Sequence, residues 1–122
     1  MALAAVVATF ALAASVASAH ALKMVRASNA NNQVAKGVCK GFVNDETLGT
    51  CVDWTSGPCR RVSAHQVRCQ MTHVFRHENG MEVRCRQAQE WFLAEGSGEL
   101  DARLVPKSVR CRETRPPDPV TP

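Results

Sequence analysis

No two cysteines in this chain are separated by only two residues, and there is no Gly-x-Ser-x-Gly turn and no internal repeat. The first absence argues against a zinc clip, whose thiolates come in close pairs; successive cysteines here have eleven, seven, nine, fifteen and twenty-five residues between them. The second removes the strained elbow on which many hydrolases mount a serine nucleophile. The third leaves a single unit rather than an array. Charged side chains are missing from the first nineteen residues, but this Ala-rich apolar run is shorter than the ~20 residues that span a bilayer and is only weakly hydrophobic. It ends in the small-x-small pattern Ala17-Ser18-Ala19, so residues 1–19 are expected to be a signal peptide, with His20 first after cleavage. No Lys or Arg precedes the apolar run, as one usually does.

What the chain does contain is six cysteines, Cys39, Cys51, Cys59, Cys69, Cys85 and Cys111, all beyond that leader. An even count in a short exported chain reads as a disulfide framework, because an oxidising compartment lets bridges supplement a thin core. Residues 20–112 are expected to form one small domain, and 113–122, rich in proline, a flexible tail. A domain of about a hundred residues buries only roughly two-thirds of its unfolded surface. The formal net charge is +4, and eleven of the fifteen basic residues lie from Arg60 onward, ten of them Arg. Eight acidic residues share that stretch, so the local excess falls short of a dedicated nucleic-acid binder, and no nucleic acid is expected as partner.

Hydrophobic period changes once along the chain. From Ala21 to Val43, Leu22, Val25, Ala35, Val38, Cys39 and Phe42 recur mostly at three- and four-residue steps, although Asn29 and Asn31-Asn32-Gln33 make the middle polar. A helix is expected there, strongest over Val34–Val43. Asn44-Asp45-Glu46-Thr47 ends it, and a connecting segment holding Cys51-Val52-Asp53-Trp54 follows, punctuated by Gly49 and Gly57-Pro58. From Cys59 the period is two. Val67, Cys69, Met71, His73 and Phe75 line one face of a strand, and Met81, Val83, Cys85, Gln87, Gln89, Trp91 and Leu93 one face of the next. His77-Glu78-Asn79-Gly80 between them carries the Asn-Gly hairpin signal, in which both residues accept positive φ. A further strand runs through Leu100, Ala102 and Leu104, is interrupted at Pro106 and resumes at Val109 and Cys111, which makes it an edge or bulged strand. A short strand over Cys59–Ser63 is expected before the first, turning at Ala64-His65. The fold class is therefore α+β: an N-terminal helix on an antiparallel meander of three to four strands, disulfide-stapled. This layout resembles the cystatin-like and other open α+β sandwiches of small exported proteins, but layout alone implies no function.

Six cysteines allow 15 pairings, and strand parity narrows them. Cys69, Cys85 and Cys111 share the parity of the apolar residues, so their sulfurs point toward the core. A meander brings Cys85 beside Cys111, a tight turn sets Cys59 opposite Cys69, and Cys39 is left for Cys51; Cys69 to Cys85 is the main rival.

The same parity throws the neighbouring Arg68, Arg84, Arg86 and Arg110 onto the opposite face, where guanidinium forks suit carboxylates or phosphates. These four are the candidate anion-binding residues, with cross-strand pairing to Glu82, Glu90 or Asp101 as the competing role. His73-x3-His77-Glu78 resembles zinc-protease spacing, but on a strand the two imidazoles lie roughly 13 Å apart, beyond a shared metal. His73 shares the core parity and suits packing, while His65 and His77 suit turns. No catalytic residue, metal or cofactor is assigned. The chain is expected to be secreted, extracellular or in the cell envelope, as a non-catalytic module binding an anionic polymer or a protein. The alternative is a small secreted hydrolase using His and Glu residues.

Overall fold

The computed structural model describes residues 21–41 and 48–120; the expected leader at 1–19, His20, Phe42 and the Asn44–Thr47 stop lie outside them. A helix, α1 (Met24–Gly41), is followed by β1 (Thr50–Ser63), β2 (Gln66–Arg76), β3 (Glu82–Leu93), β4 (Leu100–Leu104) and β5 (Arg110–Arg115). All pairings are antiparallel, in the order β1-β2-β3-β4, with β5 also on β3. β4 pairs with Gln89–Leu93 and β5 with Glu82–Arg86, so the two share one edge position. Between them Lys107 takes φ 61 and Ser108 N–H donates to Val105 O, which is the break expected at Pro106. The fold is the expected α+β arrangement, a helix on an antiparallel sheet.

Two boundaries differ from the sequence expectation. β1 begins at Thr50, not Cys59, and takes in the supposed connector, accommodating Gly57-Pro58 by a register shift between Ser56 and Cys59. β5 reaches Arg115, and Asp118 N–H then donates to Asn79 O at 2.7 Å, so ordered contacts run past residue 112. At the β2–β3 turn only Gly80 of the Asn-Gly pair has positive φ, at 87°. A Cβ there would meet the Asp118 carboxylate, a second reason for glycine.

The helix meets the sheet through Ala27, Asn31 and Ala35, one stripe of four-residue steps. Its small side chains let the helix lie close to Val67, Cys69 and Trp91, which with Leu22 and Ala27 form the main core cluster. Val25, expected on the apolar face, is 62% exposed, and Asn31, read as a polar break, is fully buried. Asn31 repays its burial in hydrogen bonds: Nδ2 donates to Ser56 Oγ (2.8 Å) and Gln70 O (2.9 Å), and Oδ1 accepts from Trp91 Nε1 (3.0 Å). Gln70 lies opposite the β1 register shift and has no partner residue on that strand, so its carbonyl is available to the helix.

Three disulfides follow the sequential scheme: Cys39–Cys51, Cys59–Cys69 and Cys85–Cys111. The last two join residues directly opposite each other in the ladders.

Candidate anion-binding face

Register decides what stands on the face away from the helix. Because Cys69, Gln89 and their even-spaced neighbours turn toward the helix, Arg68, Gln70, Thr72, Val74 and Arg76 of β2 turn outward, beside Glu90, Ala88, Arg86, Arg84 and Glu82 of β3. β4 adds Arg103 beside Glu90, and β5 adds Arg110, Arg112 and Arg115 beside Arg86, Arg84 and Glu82. Side chains therefore stand in rows across the strands, and the rows differ in charge balance.

At one end Glu90 holds two arginines: Arg68 Nη2 donates to Oε2 at 2.9 Å and Arg103 Nη2 to Oε1 at 2.7 Å. The Arg68 hydrogen bond, then that of Arg103, keeps the Glu90 carboxyl below its ordinary pKa although burial pushes the other way. Arg103 also sits over the Phe92 ring, 5.4 Å from its centroid. At the other end Arg76 donates twice to Glu82 Oε1, at 3.0 and 2.7 Å, and Arg115 pairs with Asp118 at 3.2 Å. Arg68, Arg103, Arg76 and Arg115 at the two ends thus each have a carboxylate partner, although Glu90 is shared by two of them and Arg60, beside Arg68 on β1, has none among the described residues.

The middle differs. Arg86 faces Arg110 and Arg84 faces Arg112, and none of the four has an ion-pair partner among the described residues. Asp53 shares the Arg84 row but stands two strands away with Val74 between. Like charges in direct opposition repel, so this arrangement costs stability. The Cys85–Cys111 bond, set between the two Arg-Cys-Arg triplets on the opposite face, holds them in register despite that repulsion. Together with Gln70 and Thr72 the four line an open basin of about 470 Å³. Arg110 is oriented by donating Nη1 to Lys107 O (2.8 Å) and Val109 O (3.2 Å). Guanidinium donors on opposed strands, with no competing carboxylate, can take up an anion bearing several oxygens.

Of the sequence candidates, Arg84, Arg86 and Arg110 come together, whereas Arg68 shares the face but stands two rows off, bound to Glu90. Arg112 completes the cluster and was not singled out. Its signal was present: setting Cys85 opposite Cys111 in an antiparallel pair necessarily opposes Arg84 to Arg112 as well as Arg86 to Arg110.

Of the described residues, His65, His73 and His77 do not join this face. His73, buried beneath α1, donates Nε2–H to Ala35 O at 2.8 Å, while His65 and His77 occupy turns at opposite ends of β2. Among the described residues no three His, Cys, Asp or Glu side chains converge as metal ligands, and no helix is long and apolar enough to cross a membrane. No known family model, curated protein or solved structure matches the chain.

Proposed function

We propose that the chain is an exported, non-catalytic binding module and that Arg84, Arg86, Arg110 and Arg112 hold an anionic ligand. One observation carries the reading: four guanidinium groups oppose one another two by two in the middle of a sheet face, with no carboxylate partner, whereas Arg68, Arg103, Arg76 and Arg115 on either side each have one. A bound anion relieves that repulsion and gains charge-assisted hydrogen bonds, so the stability sacrificed in the free protein becomes affinity. Three disulfides suit an oxidising, extracellular setting, and the expected leader at residues 1–19 supplies the route there. The non-catalytic part of the reading draws on the three described histidines, His73 occupied in packing and His65 and His77 placed at separate turns.

Thermal unfolding at constant ionic strength, with inorganic phosphate replacing chloride, tests this. A ligand that binds the native form raises its melting temperature by mass action. The wild type is expected to gain stability with phosphate, and an Arg84→Ser, Arg112→Ser variant to gain none. Equal shifts in both proteins contradict the assignment.

A further inference from the structure

Building on that anion-binding reading, we infer that the ligand is an extended phosphate polymer lying along the β3–β5 axis, rather than one isolated anion. The basin around the four arginines does not close at Arg86 and Arg110. It adjoins a second basin of about 270 Å³ that shares Gln70, Arg86 and Arg110 and adds Lys107 and Ser108. Cationic groups therefore follow one another along the edge of the sheet: Arg84 with Arg112, then Arg86 with Arg110 roughly 7 Å further on, then Lys107. The line stops at both ends where the next arginines are paired with carboxylates, Arg68 and Arg103 with Glu90, Arg76 with Glu82 and Arg115 with Asp118. A single small anion engages one step of this line. A polymer with a charge on every unit engages all of it.

Lys107 gives independent support. Its φ of 61° is the only positive value at a non-glycine position among the described residues. The turn closed by Ser108 N–H to Val105 O, with Pro106 at its second position, calls for that conformation at its third; glycine adopts it freely, yet lysine stands there. Here the side chain lines the second basin, and the carbonyl of the same residue orients Arg110.

Phosphate is the expected unit on geometry. One carboxylate can bridge two arginines, as Glu90 does for Arg68 and Arg103, but its two oxygens lie in one plane, whereas the oxygens of a tetrahedral phosphoryl group point out of a single plane toward arginines on two strands. An acidic peptide would add as a strand at the sheet edge, through its backbone, while this line of cations stands on the face.

The test compares inorganic phosphate, tripolyphosphate and long-chain polyphosphate as titrants of the full chain, for wild type and Lys107→Gly. Affinity per chain is expected to rise about tenfold or more from phosphate to long-chain polyphosphate. Raising salt should weaken polyphosphate binding with a log–log slope that falls by roughly one unit in Lys107→Gly. Because glycine adopts that φ freely, this variant is expected to melt no lower than wild type, which separates lost binding from lost folding. Equal affinity for phosphate and polyphosphate, an unchanged slope in Lys107→Gly, or equally tight binding of poly-glutamate overturns the inference. If phosphate still binds through Arg84 and Arg112, the anion site itself stands; if no phosphate species binds, the underlying reading fails as well.

Discussion

Glu90 bounds the candidate site at one end, and Asn31 ties the helix to the other side of the sheet. Glu90 lies between Arg68 and Arg103, whose hydrogen bonds lower its pKa in the folded state. A lowered folded pKa means that the carboxylate contributes stability above its ordinary range and loses it as pH falls through the folded value. Glu90→Gln is therefore expected to cost about 1–2 kcal/mol at pH 7, a modest sum because both arginines keep contact with solvent. Chemical denaturation at a series of pH values should show that gap closing on acidification below pH ~4; a gap independent of pH would contradict the pairing. The competing role weighed for the arginines, pairing across strands, thus applies to Arg68, whose Glu90 partner was legible in the sequence, and not to Arg84, Arg86 or Arg110. Asn31 was legible only as an interruption of the helix pattern. Its burial depends on a carbonyl left over by the β1 register shift and on an indole sixty residues away, neither of which a local period reveals.

At the scale of elements, strand parity was the strongest sequence signal. Alternation over β2 and β3 indicated which side chains face the helix, and parity with the tight turn at Ala64-His65 and the meander order favoured Cys59–Cys69 and Cys85–Cys111, with Cys69 to Cys85 left as a rival that the structure does not adopt. The first half of β1 was missed because Gly57-Pro58 reads locally as a turn, whereas the sheet absorbs it by a shift in register. β5 depends on the Cys85–Cys111 bridge more than on packing, since all six of its residues are exposed. Replacing both cysteines by Ser is expected to lower stability by about 2–4 kcal/mol, consistent with opening a loop of 26 residues, and to weaken phosphate binding while the helix and β1–β3 persist. Circular dichroism with denaturant unfolding and a phosphate titration separates these outcomes. Undiminished binding in the double Ser variant would show that β5 needs no covalent tie to present its arginines.

Across the whole molecule, the helix packs on β1 and β2 on one side of the sheet and leaves the other side to a banded charge pattern. Arginines that have a carboxylate partner flank a middle whose four arginines have none, and register rather than composition sets those four together; the net charge of +4 alone distinguishes no arginine from another. The central claim is therefore positional, and charge-matched variants test it most directly. Phosphate affinity is to be measured by calorimetric titration for wild type, for Arg84→Ser, Arg112→Ser and for Arg76→Ser, Arg103→Ser, which lose the same two positive charges. The first pair is expected to weaken binding by about tenfold or more and the second by less than about threefold, because Arg76 and Arg103 already serve Glu82 and Glu90. Equal losses from both pairs would mean that the protein attracts anions through net charge alone, and the Arg84–Arg112 cluster would then have no special part in binding.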